Sequence, residues 1–437
     1  MATILLVLIV LVACATNERG TFTDRSSGTP GSGARAPTGN RIPASDCTAA
    51  SVRRAIGRAA DGDTVAVPAG TCSWTSTLTV TKGITIAGAG IDQTILLDNV
   101  PRDPGGNGPM LVFEVPRPKR PRLTGITFRP GKITQASNNG NVIIGNTTET
   151  FRVDHVKFDD TLATAQLTSY DATGVIDHCE FLSSHNSEAI RPWHQRWKGG
   201  GEWGDNPWAQ PTNLGTAEAV YIEDNVFTVA GAPLAQIDSQ AGGRVVVRRN
   251  TFRAGAAVAN HGTESSQRYR SARSFEVYEN TFECCDLGQT AFAAIFIRGG
   301  TGVIFNNTVR GYAGGGHLLK ADTFRVGSPF VPWGQCTGKN PWDGNAGPAG
   351  YPCLDQPGRG PGDLLRGDPP VNSRTRTVAW PRQAPEPIYV WGNTLNGADV
   401  VGGAAVEVGR DILLTPKPGY TPFCYPHPLV SGTPCGP

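Results

Sequence analysis

The stretch VVVRRNTF, residues Val245 to Phe252, decides the fold. It reads as a few apolar β-formers, a polar turn, and a large apolar residue that closes the unit. The same pattern recurs downstream as FEVYENTF (275–282), VIFNNTV (303–309) and IYVWGNTL (388–395). Upstream it appears as VYIEDNVF (220–227), VIDHCEF (175–181), RVDHVKF (152–158) and GITF (125–128). The closing residues are 23 to 30 positions apart, apart from two gaps of 46 and 86. A period in this range signals stacked supersecondary units, and these units are too short and too strand-like for helical hairpins. The expectation is a coil of short strands separated by turns, with neighbouring coils about 4.8 Å apart. Asn225, Asn250, Asn280, Asn307 and Asn393 each stand two places before a closing residue. Asparagines stacked at one turn can bond the coils above and below and suit a left-handed backbone, so they are expected to be structural.

Composition agrees with this pattern. The 437 residues include 55 Gly and 34 Pro, with only 17% charged residues, a balance that opposes long helices. Hydrophobic content of 39% excludes disorder, and a net charge of +2 gives no bulk attraction to nucleic acid or membrane. The apolar run Ile4–Ala13 is too short to span a bilayer and reads as the apolar part of an export signal. Leu11-Val12-Ala13-Cys14 resembles a bacterial lipobox, which implies lipid attachment at Cys14 and a membrane contact only through that anchor; no basic residue precedes Ile4. The reading is a signal peptide over 1–13, a flexible tether over 14–44, a solenoid over 45–415 and a C-terminal tail over 416–437 folded back on the last coil. Segments 192–215 and 324–385 interrupt the repeat as excursions. Ten cysteines suit an exported, disulfide-bearing chain. Cys47–Cys72, Cys336–Cys353 and Cys424–Cys435 are the close-spaced pairs, and Cys284-Cys285 reads as two structural thiols more readily than a vicinal bridge.

Segment TAASVRRAIGRAADGDTVAVPAGTCSW (48–74) resembles the entry to a right-handed parallel β-helix of the pectate-lyase-like superfamily. The resemblance implies an all-β solenoid with an N-terminal capping helix over its open end and long loop excursions. Periodicity supports the helix: Val52, Ile56 and Ala59 or Ala60 share one face, with Arg53, Arg54 and Arg58 mostly off it. The superfamily includes lyases, hydrolases, epimerases and adhesins, so the fold alone does not choose an activity.

Aligning the coils brings charged residues together. Four positions before each closing residue stand Asp154, Asp177, Glu223, Arg248, Tyr278 and Phe305, an outward column. At about 5 Å and an effective dielectric near 20, neighbouring carboxylates repel by roughly 3 kcal/mol. A Ca²⁺ ion bound by Asp154, Asp177 and Glu223 would reverse that sign. The other arrangement pairs Arg248 with Glu223 and leaves the aspartates solvated or bonded to turn amides. VIDHCEF resembles the strand of pectate lyases whose Asp helps to bind calcium, matching Asp177, but Val175 replaces their Trp and no RxPxxR motif follows.

A second outward set comprises Thr168, Arg191, Asp238, Asn260 with His261, Arg298 and Lys320, beside a loop carrying Glu264, Arg268, Tyr269 and Arg270. Removing a proton next to a uronate carboxylate needs a cation, a base and an acid for the leaving oxygen. Arg191, Arg268, Arg270 or Lys320 could supply the cation, His261 the base and Tyr269 the acid; Arg298 would add a binding contact. Arg248 is a poor base without unusual help. Trp193, Trp197, Trp203 and Trp208, interleaved with Arg196 and Lys198, could wall a groove for an acidic glycan or pack locally. The reading is an exported, monomeric polysaccharide lyase with no nucleic-acid partner. Hydrolysis, with Asp238 and either Asp177 or Glu223 as its two carboxylates, or glycan binding without catalysis are the alternatives.

Overall fold

The computed structural model describes residues 39–145, 147–185, 188–199, 205–230, 235–262, 270–284, 286, 293–312, 316–323, 355–362, 383–395, 399–403 and 406–436. Three parallel sheets, one of twelve strands and two of ten, wind around a common core, and successive strands of a coil fall in different sheets. The chain is a parallel β-helix. The twelve-stranded sheet is called A, the sheet holding the closing residues B, and the third C. The repeat unit quoted above spans the strand of A (Arg244–Arg248), the turn, and the strand of B (Thr251–Arg253).

Each part of the repeat has a physical task. The closing residues stack inside as Phe128, Phe158, Phe181, Phe227, Phe252 and Phe282, with ring centroids 4.5 to 5.3 Å apart. That spacing is the inter-coil rise, so register and aromatic stacking enforce each other. The asparagines form a buried ladder: Asn250 Nδ2 donates to Asn280 Oδ1 (3.0 Å) and to the carbonyls of Ile222 and Arg248, while its Oδ1 accepts from the Asn225 amide (2.9 Å). Cys179 holds the equivalent turn position one coil earlier, its amide donating to Asn225 Oδ1. The left-handed residue is not the asparagine but its predecessor: His155, His178, Asp224, Arg249, Glu279 and Asn306 all have φ between 50° and 59°. That geometry turns the following side chain inward, where it can bridge coils.

The cap is helix α1 (Ala49–Arg58), begun by the Thr48 side chain accepting from the Ser51 amide. Val52, Ala55, Ile56 and Ala59 are buried, whereas Ala60 and the three arginines face out. Lys82 Nζ takes the carbonyls of Ile56 and Ala59 at the helix end, where a cation suits the dipole. The solenoid starts earlier than residue 45, because Arg41–Pro43 already pairs in sheet A with Thr64–Ala66. Within 192–215 lies the short helix α2 (Asp205–Ala209), and from 324–385 the pieces Arg359–Pro361 and Gln383–Pro385 form an antiparallel pair.

Cys47–Cys72 and Cys424–Cys435 are bridged; Cys336 and Cys353 lie outside the described residues. Cys179 is a buried free thiol, and Cys284 is disulfide-bonded rather than free.

The tail departs most from expectation. It does not stop at the last coil but runs back over the outer face of sheet A as a strap ending in helix α3 (Pro428–Ser431). Tyr420, Phe423, Leu429 and Val430 cover Val175, Tyr221, Val246, Tyr278, Val303 and Phe305.

Candidate functional site

Register confirms the first column as a set of neighbours: Asp154 pairs with Asp177, Asp177 with Glu223, Glu223 with Arg248 and Arg248 with Tyr278. Its surroundings differ from those expected. All three carboxylates are buried and each is matched by a guanidinium. Asp154 accepts from Arg122 at 2.6 and 2.7 Å, Asp177 from Arg152 at 2.9 and 2.8 Å, and Glu223 from Arg248 Nε at 2.7 Å. Burial alone would raise Asp154, but the Arg122 fork, His155 and Arg152 hold its carboxyl well below the usual range. The strap closes the column. Arg248 donates to the carbonyls of Phe423 (2.8 Å) and Cys424 (2.9 Å), and the His427 amide donates to Glu223 Oε1 (2.9 Å).

Asp154, Asp177 and Glu223 therefore do not fit a Ca²⁺ site, since three arginines already remove the repulsion that called for a cation. Among the described residues no group of three or more His, Cys, Asp or Glu could hold a metal ion. Arg248, a sequence candidate for catalysis, is sealed away from any substrate.

Sheet C carries the open chemistry. One outward column runs Val112, Ile143, Thr168, Arg191, with Asp238 following from the Ile190–Ile237 pairing, then Ala259, Phe296 and Lys320. Two residues further along the strands lie Tyr170 and Trp193 in register, Trp193 bridged to Gln240, then His261 and Arg298. His261 and Arg298 thus stand one column over from Arg191, Asp238 and Lys320, close enough to meet Asp238. His261 Nδ1 lies 2.7 Å from Asp238 Oδ2, and Gln240 Nε2 donates to the same oxygen at 3.0 Å. Arg298 Nη2 closes on the same Nδ1, lies 3.4 Å from Nε2, and stands 3.8 Å from Asp238 Oδ1. Arg191 Nε meets Glu188 at 2.5 Å. In the tautomer that directs Nδ1–H at Asp238, Nε2 is the nitrogen that carries the lone pair a proton acceptor needs. Lys320 is half-buried on the same face.

The tryptophan segment divides. Trp193 is half-buried beside Tyr170, 5.9 Å between rings, on the sheet C face. Trp197 is buried against the Arg244 guanidinium, and Trp208 is buried with its Nε1 donating to Ser271 Oγ. Arg270 is also buried, stacked on Trp208 and paired with Asp355 at 2.8 Å. Trp197 and Arg270 thus pack the solenoid flank rather than the groove. Arg268, Tyr269, Glu264, Trp203 and Cys14 lie outside the described residues.

No family model matches the chain, and no curated protein does. Among solved structures it is similar to an alginate lyase from Paenibacillus sp. str. FPU-7, at 13% identity over 84% of this chain and 99% of that one, with a TM-score of 0.36. A likeness at that level adds nothing to the fold, which the strand register establishes by itself.

Sequence reasoning missed Arg122 and Arg152, which sit two residues before the column positions Thr124 and Asp154 of their own strands, so also face outward, and each pairs with the aspartate of the next coil. It also missed Glu188, Tyr170 and Gln240. Alternation from the column already chosen would have found the two arginines. Nothing comparable marks the coils in sheet C.

Proposed function

We propose that the protein cleaves a uronate-containing polysaccharide by β-elimination on the outer face of sheet C. The observation that carries this reading is the Asp238–His261 pair, set on one face with Arg191, Arg298 and Lys320. A substrate carboxylate held by Arg298, the cation beside His261, has its charge offset, which acidifies the proton on the adjacent carbon, while Arg191 and Lys320 lie along the face for neighbouring sugars. His261 Nε2 takes that proton, with Asp238 fixing the ring and stabilising the imidazolium. The electron pair forms the new carbon–carbon double bond as the bond to the glycosidic oxygen breaks. The leaving oxygen takes a proton from a general acid, the role given to Tyr269. The products are an unsaturated uronate and a new reducing end.

Export belongs to the same reading. Its supports are the apolar run Ile4–Ala13, the lipobox-like Cys14 and two disulfides that suit an oxidising compartment.

The test is a panel of acidic glycans followed by the ultraviolet absorbance of the unsaturated product. The wild type is expected to generate it, and His261→Gln to lose activity by about 10²- to 10⁴-fold, the worth of a positioned base. New reducing ends without absorbance would replace elimination by hydrolysis, and neither signal would leave a glycan-binding surface.

A further inference from the structure

Beyond the Asp238–His261 pair, the same face of sheet C opens into a cavity of about 460 Å³ lined by Val112, Glu114, Ile143, Tyr170, Asp171 and Arg196 among others. That volume lies within the range of small-molecule sites. Ile143 belongs to the Thr168–Arg191 column and Tyr170 to the Trp193 column, so cavity and pair share one continuous surface. Counting coils at about 4.8 Å each, Tyr170 lies roughly 14 Å from His261 along the axis and the strand of Ile143 roughly 19 Å. One coil rise is close to one pyranose unit of an extended glycan. A chain lying along the face would therefore place one sugar over His261 and another in the cavity.

The two ends differ in chemistry. Beside His261 stands Arg298, with Arg191 and Lys320 about two coils away on either side. The cavity instead has an apolar floor, Val112 and Ile143, and an aromatic wall, Tyr170 beside Trp193. Its carboxylates are fixed in place. Glu114 lies across the strand over Gly145, where a Cβ would stand 2.1 Å from Oε1, and it accepts from Thr147 Oγ1 at 2.9 Å. Asp171 accepts from the Arg196 amide at 2.6 Å. Burial pushes Asp171 up despite that bond and the Arg196 charge, so it welcomes no further negative charge. Arg196 offsets one of the two carboxylates, leaving the cavity net negative.

We infer that this cavity is a subsite for a neutral pyranose, whose C–H face stacks on Tyr170 and the apolar floor while its hydroxyls donate to Glu114. The substrate is then a mixed glycan in which uronate and neutral sugars are interspersed, rather than a homopolymer of uronate. The inference rests on the elimination reading for the sugar over His261, and Glu114 and Tyr170 become its specificity-determining residues.

The experiment compares kcat/KM on a homopolymeric uronan and on a copolymer of uronate with neutral hexose, for the wild type, Glu114→Gln and Tyr170→Ala. The wild type is expected to prefer the copolymer by about tenfold or more, the effect of one screened like-charge contact. E114Q should narrow that preference from both sides, and Y170A should raise KM on the copolymer more than it lowers kcat. Equal or better cleavage of the homopolymer by the wild type, with no change in E114Q, overturns the inference and leaves elimination standing. If no glycan yields an unsaturated product, calorimetry with neutral and uronate oligosaccharides still decides. Neutral ligand binding that weakens in Y170A supports the subsite, and binding of the uronate ligand alone, or of neither, refutes it.

Discussion

Replacing Arg248 by alanine separates a structural from a catalytic role for the most prominent charge in the repeat. The Arg248 and Glu223 side chains are both 0% exposed, and their shortest contact is 2.5 Å. The guanidinium also donates to Tyr278 Oη and to two strap carbonyls, so its removal strands an ionised Glu223 and three acceptors. Breaking a buried pair from one side costs about 3–5 kcal/mol, which sets the expected loss near 4 kcal/mol. Glu223→Leu with Arg248→Met should cost less than the sum of the two single changes, by at least about 2 kcal/mol, because neither charge is then left alone. Stacked coils unfold through nearest-neighbour steps, so urea unfolding is best read together with native-state hydrogen exchange at 423–431. R248A should lose protection there first. A variant within about 1 kcal/mol of the wild type, with strap amides still protected, would refute the reasoning.

Two further outcomes follow from buried polar groups. His194 Nε2 donates to Ala172 O and its Nδ1 accepts from the Arg244 amide, a neutral ring whose burial lowers its pKa to about 4. His427, capping α3 through Nδ1, is lowered to about 4 by burial and by Arg248. The unfolded chain binds these protons first, so stability present above pH 6.5 falls as pH drops towards about 4, by roughly 3 kcal/mol per histidine. Denaturant midpoints at neutral and acid pH check this, and His427→Asn, which keeps a cap without titrating, should flatten part of the slope. In the ladder, Asn250→Ala leaves the Asn225 amide and two carbonyls unpaired, which should cost about 2–4 kcal/mol in the same assay; a loss under about 1 kcal/mol would contradict a structural ladder.

The unit VVVRRNTF contained most of the architecture because each of its positions answers to one local rule. Phe252 must stack on its neighbours, Asn250 must bridge turns, and Arg248 must share a column with Glu223. Such rules repeat at every coil, so one alignment reveals them all. Two kinds of information do not repeat. The strap meets Arg248 from 175 residues away, through backbone carbonyls that any sequence supplies. Sheet C has no marker like Asn250, and loops of unequal length precede its strands, so the one-column offset of His261 and Arg298 from Arg191 and Asp238 was not visible. The left-handed turn was assigned one residue late for a related reason. Asparagine is the usual occupant of that backbone, but here its amide is needed inside and the preceding residue takes the unusual φ.

Burial also sets the three faces apart. Sheet A has the middle of its outward face covered by the strap. Sheet B presents solvated pairs such as Arg129–Asp159 and Arg253–Glu283, whose members are a quarter to a half exposed and contribute little. Among the described residues, sheet C combines charged groups only 5–13% exposed with a neighbouring aromatic pair, Tyr170 and Trp193. Charges kept that dry carry a desolvation cost, which a ligand carboxylate at Arg191 and Arg298 would offset in part. Strap and site are therefore separable. Under conditions where the solenoid stays folded, loosening the strap by R248A should leave elimination at His261 close to the wild-type rate. A loss of activity there, with sheet C intact by hydrogen exchange, would mean that the sealed column reaches the reaction after all.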